Sequence, residues 1–163
     1  MKALTILEPF ASLIAGGFKH YETRGFPTRI RGRIAIHAGK SKTHMMGRTA
    51  RDPAMQILTA AYRRQNIYGS PDLNLDLLIK PGFVIATAEI VACYRVDGVT
   101  WDKNGRKIVA THLEDGTVIE GKELDFGFYR IGAFAWRLKK AEPINPIAAK
   151  GQQGFWEWEG KEG

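Results

Sequence analysis

The chain is organised around residues 16–24. This stretch reads Gly16-Gly17-Phe18-Lys19-His20-Tyr21-Glu22-Thr23-Arg24. Just before it, Phe10, Leu13 and Ile14 recur at the spacing of one apolar helical face. The two glycines predict the end of this helix, because glycine reaches the left-handed conformation that a helix C-cap requires. The sequence therefore predicts a short helix that leads directly into a charged cluster.

The charged cluster combines a lysine, a glutamate and an arginine within six positions. If the segment is extended, the alternate residues His20, Glu22 and Arg24 share a face; if it turns, Lys19 and Glu22 approach each other. Reactive sites are built from such neighbours, but so are exposed ion pairs at protein surfaces. The spacing by itself fits a solvated group of ion pairs better than a reactive site.

Length and charge narrow the class of protein. The chain has 163 residues, 44% of them hydrophobic and 25% charged, which predicts one globular domain over residues 1–163. Its formal net charge is +7, which favours an anionic partner, with nucleic acid ahead of a membrane surface. A merely soluble basic protein is the alternative. Clustering of arginine favours the nucleic-acid partner. The clustered arginines are Arg24, Arg29, Arg31, Arg33, Arg48, Arg51, Arg63 and Arg64.

The start of the chain lacks the charged region and apolar stretch of a signal peptide, and no apolar run approaches the length of a membrane span. We therefore expect a cytoplasmic protein without membrane contact. The single cysteine, Cys93, lies in an apolar run and excludes an internal disulfide and a multi-cysteine metal site.

Alternating and apolar runs predict a protein that is mainly β with some helix, in the α+β class. The predicted strands cover residues 3–7, 33–38, 83–95, 133–138 and 154–158. One helix should begin at Asp52-Pro53 and end at Asn66 or Gly69, and a second, short one should begin at Ser70-Pro71-Asp72. Several strands with two or three helices favour a β-barrel with the helices packed around it.

Turn signals divide the second half of the chain. Asp97-Gly98, Asn104-Gly105 and Asp115-Gly116 are dipeptides typical of hairpins, so residues 96–121 should form strands and turns. Pro143 and Pro146 should interrupt regular secondary structure again. Trp136, on the predicted strand 133–138, and Trp158, at the end of the last predicted strand, are predicted to be buried in the core.

Common catalytic signatures do not occur. The sequence contains no P-loop, G-x-G-x-x-G, H-E-x-x-H or G-x-S-x-G motif, and its four histidines lack metal-site spacing.

Four stretches together resemble the ASCH domain family, small β-barrels related to PUA RNA-binding domains. They are Gly17-x-Lys19-x-x-Glu22-x-Arg24; Pro27-Thr28-Arg29-x-Arg31-Gly32 with Ile36-His37-Ala38-x-Lys40; Phe126-Gly127 to Tyr129 with Gly132-Ala133-Phe134-Ala135-Trp136; and Lys150-Gly151-x-Gln153-Gly154-x-Trp156. They span nearly the whole chain in the family's order. Residues 96–121 have no counterpart that can be matched.

The resemblance implies a barrel whose cleft is lined by the G-x-K-x-x-E-x-R stretch and binds RNA or a nucleotide. Some members of the family resemble ribonucleases, and a smaller branch removes an acetyl group from acetylated cytidine. That branch carries a threonine where this chain has Glu22, so a mechanism through threonine is not carried over.

Three functions follow, in decreasing order of expectation: a ribonuclease, a non-catalytic RNA-binding module, and an amidohydrolase acting on acetylated cytidine. Lys19, Glu22 and Arg24 are the candidate catalytic residues, because phosphodiester cleavage needs a base, an acid and cations for the anionic phosphorane. A divalent ion held by Glu22 is compatible with the sequence, and no other cofactor is indicated. The candidate RNA-binding residues are Tyr21, Arg29, Arg31, Arg33, His37, Lys40, Tyr129, Lys150, Gln153 and Trp156. Aromatic members of this set would stack bases, and cationic members would contact phosphates.

Overall fold

The computed structural model describes residues 1–41, 51–65 and 79–160. Their contacts divide them into two compact units. The first unit draws on Met1–Phe18, Arg33–Ala88 and Lys140–Gly163, and the second on Lys19–Gly32 and Glu89–Lys139. The predicted short helix at Ser70-Pro71-Asp72 and the predicted end of the preceding helix lie outside the described residues.

The first unit is built on strands β1 (Lys2–Leu7), β3 (Gly32–Gly39) and β8 (Phe155–Glu157). Strand β1 is central: it pairs parallel with β3, with Ala3 opposite Ala35, and antiparallel with β8, with Ala3 opposite Trp156. Strand β4 (Phe83–Trp101) adds to the other side of β3, and its first residues bring Val84 into the same apolar core. Helices α1 (Phe10–Ala15) and α2 (Pro53–Gln65) belong to this unit.

Helix α1 is fixed at both ends by local hydrogen bonds. At its start, the buried Glu8 carboxylate accepts hydrogen bonds from the Ser12 N–H at 3.1 Å and the Ser12 hydroxyl at 2.8 Å. At its end, Gly17 has a φ of +74°, and Phe18 N–H donates to the Leu13 carbonyl at 2.8 Å, which is a Schellman C-cap. The predicted glycine cap is confirmed, with Gly17 as the left-handed residue, and it sets where the charged cluster begins.

The second unit contains strands β2 (Tyr21–Arg24), β5 (Ile108–Leu113) and β6 (Val118–Glu120) and the four-residue helix α3 (Lys122–Asp125). Strand β2 pairs antiparallel with β7 (Phe134–Ala148), which lies between β2 and β4. Strand β5 pairs with β4 and β6. The apolar core of this unit gathers Tyr21, Val96, Leu113, Ile119, Tyr129, Ala133 and Ala135.

A mainly β protein with few helices is confirmed, and strands occur at all five predicted places. The strand order within the described residues runs β2-β7-β4-β3-β1-β8 and does not close on itself, so a closed barrel stays a prediction. Trp136 and Trp158 are buried as predicted, at 0% and 9% exposure.

The hairpin turn predicted at Asp97-Gly98 and the breaks predicted at Pro143 and Pro146 are wrong. Asp97-Gly98 lies inside β4, where a register shift between Val96 and Gly98 marks a bulge instead of a hairpin turn. Strand β7 continues through Pro143 and Pro146, where breaks are predicted. Both prolines are exposed, and a proline that lacks an N–H is tolerated where the strand does not need that donor. By contrast, Gly105 and Gly116 have positive φ at the two predicted turns on either side of β5.

In the first unit, Gly151 lies directly against the buried His37 ring. A Cβ added to Gly151 meets His37 Cε1, and it comes within 2.5 Å of His37 Nδ1 and 3.0 Å of Thr5 Oγ1. The ring has little room to move, because its Nε2 lies 3.2 Å from the Ala149 carbonyl and its edge packs on Trp156 at 5.6 Å.

We expect Gly151→Ala to lower the free energy of unfolding by about 1–3 kcal/mol, the usual cost of overpacking a filled site. Urea denaturation measures the effect. Gly98→Ala is the matched control, because the Cβ added at Gly98 meets its nearest neighbour, His112 Cδ2, at an ordinary 3.7 Å. Equal stability of the Gly151 variant and the parent contradicts the close packing.

Candidate active site

Strand β2 presents the charged cluster in an extended conformation. Its four residues pair with β7, with Glu22 opposite Trp136 and Arg24 opposite Phe134. Alternate residues of a strand point to one face, so Glu22 and Arg24 lie on the same side of β2. The structure therefore shows the extended alternative for Tyr21–Arg24, and Lys19, which precedes the strand, also approaches Glu22 as the turned alternative expects.

Lys19 is the most buried charged group of the cluster. Its relative exposure is 2%, and its Nζ donates a hydrogen bond to the Phe126 carbonyl at 2.5 Å. The same Nζ lies 3.9 Å from Glu22 Oε2, and Glu22 is 7% exposed. The interpretation of the cluster as solvated surface ion pairs is therefore wrong, because two of its three members are removed from water.

Burial decides the acid–base behaviour of Lys19. Loss of solvation lowers the pKa of its amine, because the charged form loses most from leaving water. The Glu22 and Glu123 carboxylates oppose this shift, and the Arg24 guanidinium adds to it. A lysine with a lowered pKa is neutral at lower pH than an ordinary lysine and can accept a proton.

Arg24 is the solvent-facing end of the cluster. Its Nε lies 2.8 Å from Glu22 Oε1, and its side chain keeps 23% of its exposure. The guanidinium carbon sits 5.9 Å from the centre of the Trp136 ring, within the range of a cation–π contact. Trp136 in turn donates from Nε1 to the Phe26 carbonyl at 3.2 Å. The contact chain thus runs from a buried amine, through a carboxylate, to a guanidinium that reaches water.

A second segment, residues 122–129, fixes β2 from the side. The Glu123 carboxylate accepts hydrogen bonds from the backbone N–H groups of His20 and Tyr21, at 3.0 Å each. Farther along, Phe128 N–H donates to Thr23 Oγ1 at 3.0 Å. With the Lys19–Phe126 bond, these contacts hold the cluster from residues more than 100 positions away in sequence. Sequence reasoning missed Glu123, and its only signal there is a carboxylate next to an aromatic, glycine-rich loop.

Four of the candidate RNA-binding residues belong to the same unit as the cluster. Arg29 and Arg31 are exposed, and Arg31 Nη1 donates to the carbonyls of Thr28 and Ile30 in its own loop at 3.0 and 2.8 Å. Tyr21 and Tyr129 are only 9% and 4% exposed, so little of either ring is free to stack a base. Their RNA contacts stay predictions.

The other six candidates belong to the first unit. They are Arg33, His37, Lys40, Lys150, Gln153 and Trp156. Lys40, Lys150 and Gln153 are exposed. Arg33, also exposed, donates to Thr87 Oγ1 at 2.7 Å and forms an ion pair with Glu142.

The remaining two are buried. His37 is 2% exposed, and burial lowers the pKa of its imidazole. Trp156 is 7% exposed and donates from Nε1 to Thr5 Oγ1 at 3.1 Å. Their contacts with RNA likewise stay predictions.

The donors around Glu22 do not suit a divalent ion. One carboxylate oxygen faces Arg24 and the other faces Lys19, so a metal ion there would lie beside two cationic side chains. Across the described ranges, no three His, Cys, Asp or Glu side chains gather closely enough to hold a metal ion.

Comparison with known proteins does not assign a family: no family model matches the chain, and no curated protein gives a significant match. None of the helices in the described ranges combines the length and the apolar character needed to span a membrane.

Proposed function

We propose that this chain is a single-domain, cytoplasmic RNA-binding protein with a PUA-like ASCH barrel, and that it cleaves RNA phosphodiester bonds at Lys19, Glu22 and Arg24. Support comes from one observation above all, the buried contact chain from Lys19 Nζ through the Glu22 carboxylate to Arg24 Nε. A solvated patch of ion pairs needs neither this burial nor the hydrogen bonds that residues 122–129 make to Lys19 and to the backbone and side chains of β2. A net charge of +7 suits an RNA partner.

The three side chains divide the chemistry of cleavage among them. Glu22 takes the proton from the attacking hydroxyl, which then forms a new bond to phosphorus. Arg24, the partly exposed member, donates to the non-bridging oxygens as negative charge builds on them. The Lys19 ammonium gives a proton to the leaving oxygen as its bond to phosphorus breaks, and a lowered pKa makes this transfer easier.

One observation favours a second candidate, an amidohydrolase acting on acetylated cytidine. The Lys19 and Glu22 side chains retain 1% and 9% of their exposure, so a small acyl group reaches them more readily than a polymer backbone does. There the Lys19 amine and Glu22 would share the proton transfers of amide hydrolysis. A non-catalytic RNA-binding module is the outcome if neither substrate turns over.

A substrate panel separates these functions. The purified protein is incubated with single-stranded RNA, structured RNA and acetylated cytidine, each with and without EDTA. We expect RNA cleavage that persists in EDTA, because the donors around Glu22 do not suit a metal ion. Release of acetate from the nucleoside alone favours the amidohydrolase, and RNA binding without turnover leaves the binding module.

RNA affinity itself should depend on the exposed arginines of the loop after β2. Arg29 makes no hydrogen bond or ion pair through its side chain within the described ranges, so its guanidinium is available to phosphate. We expect Arg29→Glu to weaken binding to all RNA sequences alike and to reduce the slope of log K against log salt by about 0.7 per lost contact. Fluorescence anisotropy at several salt concentrations measures this.

Arg106→Glu is the matched control, since it makes the same charge change at an exposed position before β5. Equal losses in the two variants mean that only the overall charge matters. An affinity that does not change with salt contradicts phosphate binding altogether.

A further inference from the structure

The second unit contains a pocket of about 400 Å³. It is lined by His20, Tyr21, Thr117, Val118, Ile119, Glu120, Glu123, Arg137, Leu138 and Lys139. Lys19, Glu22 and Arg24 are not among these residues. The volume falls in the range of small-molecule sites, about 300–1,000 Å³.

Arg137 is a half-buried cation without a charged partner. Within the described ranges its guanidinium makes no ion pair and no side-chain hydrogen bond, and its Cα lies opposite that of Tyr21 in the β2–β7 register. Lys139, two residues farther along β7, is exposed and equally unpaired across those ranges. A guanidinium on a pocket wall that has no partner in the fold is free to donate two parallel hydrogen bonds to an anionic ligand.

The Glu123 carboxylate in the pocket wall already has hydrogen-bond partners in the fold. Glu123 accepts two backbone N–H groups, and its Oε2 lies 3.0 Å from His20 Nδ1. This contact orients the imidazole and leaves its other nitrogen, Nε2, on a side chain that is 62% exposed. His20 therefore offers a third donor to an anion whenever it is protonated, and Glu120 on β6 is the one lining carboxylate that remains without such partners.

The geometry points to a nucleoside monophosphate as the ligand of this pocket. Arg137 and Lys139 hold the phosphate, with His20 Nε2 as an additional donor. The apolar part of the wall, formed at Val118 and Ile119, contacts the sugar and the face of the base, because apolar walls with a few placed polar groups are the usual construction of such sites. This binding requires no turnover, so it can be measured separately from the proposed RNA cleavage.

Calorimetric titration of the full chain with adenosine monophosphate, adenosine and inorganic phosphate tests the site. We expect the monophosphate to bind most tightly, because neither part alone uses both the cations and the apolar walls. Equal affinity for adenosine and its monophosphate overturns the phosphate contact, and equal affinity for phosphate and the monophosphate overturns the nucleoside contact. No heat of binding for the monophosphate at millimolar concentration overturns the site.

Arg137→Gln should weaken binding of the monophosphate by about 10- to 100-fold, the range for loss of hydrogen bonds to a charged group. Lys139→Gln should also weaken binding of the monophosphate. Because Lys139 is exposed, we expect this variant to fold, so it tests the site even if the Arg137 variant does not fold. Arg106→Gln, at an exposed position that does not line the pocket, should bind like the parent. Parent-like binding by both pocket variants overturns the assignment. An absence of RNA cleavage by the parent protein removes the proposed function and leaves this site standing.

Discussion

Trp136→Ala should lower the free energy of unfolding by about 3–5 kcal/mol, the usual cost of truncating a buried aromatic side chain to alanine. Trp136 is 0% exposed, so the substitution leaves a cavity in the second unit. It also removes the Nε1 donor to the Phe26 carbonyl and the edge-to-face contact with the Phe26 ring at 5.7 Å. Arg24 loses the ring beneath its guanidinium, so we expect weaker function as well as lower stability.

Trp101→Ala is the matched control for this loss. Trp101 is 52% exposed at the end of β4, and exposed substitutions usually change stability by about 0.5 kcal/mol or less. Trp136→Phe separates the two contributions, since it keeps most of the packing and removes the Nε1 hydrogen bond. Chemical denaturation monitored by circular dichroism measures all three variants, and a Trp136→Ala protein that unfolds with the parent contradicts the burial.

Apolar runs explain why the strands could be predicted. Strand β3 is buried at every position from Ile34 to Gly39, and β4 at every position from Val84 to Ala88, as is usual for strands that are covered on both faces. The glycine cap of α1 could be predicted for a similar reason, because only Gly17 reaches a φ of +74° without strain. Both features depend on residues within the element itself, so the sequence of that element is enough to predict them.

The surroundings of the cluster could not be predicted, because they depend on contacts between distant segments. Lys19 is buried by the Phe126 carbonyl, and β2 is fixed by Glu123, both more than 100 residues away. A strand of four residues is also too short for a periodic signal, so the sequence does not distinguish an extended segment from a turn here. The pairing of β2 with β7 determines its conformation.

Turn signals failed where the sheet outweighed local preference. Asp97-Gly98 is typical of a hairpin, but pairing of β4 with β5 continues past it and turns the extra residue into a bulge. Asn104-Gly105 has the same kind of signal and does form a turn, with Gly105 N–H donating to the Asp102 carbonyl at 2.9 Å. The two dipeptides differ in whether the residues on both sides of them pair with a neighbouring strand, and the dipeptide sequence does not predict that pairing.

Removal of one partner from the buried Lys19–Glu22 pair should destabilise the protein strongly. We expect Lys19→Ala and Glu22→Gln each to cost about 3–5 kcal/mol. Glu22→Gln leaves the Lys19 ammonium away from water without its nearest carboxylate. Lys19→Ala leaves a cavity and takes the Nζ donor away from the buried Phe126 carbonyl, while Glu22 keeps its contact with Arg24.

Lys2→Ala is the matched control: Lys2 Nζ lies 2.5 Å from Glu157 Oε1, but both side chains are about half exposed or more. An exposed pair of this kind contributes about 0–1 kcal/mol. Equal melting temperatures of the Lys19→Ala and Lys2→Ala variants would contradict the difference in burial between the two ion pairs.

The same substitutions should lower turnover by about 10²-fold or more, as expected when an acid–base group is lost. Assays are run well below the melting temperature of each variant, so that loss of fold is not counted as loss of chemistry. Lys19→Arg is the informative variant, because arginine keeps the positive charge but does not exchange a proton near neutral pH.

If Lys19 transfers a proton, its arginine variant is as inactive as the alanine variant; if Lys19 only supplies charge, the arginine variant retains activity. The double variant should be little worse than the worse single one, because residues that act as a unit are not additive. Full activity in both single variants, on whichever substrate is cleaved, contradicts the assignment of Lys19 and Glu22 to the active site and leaves the RNA-binding module.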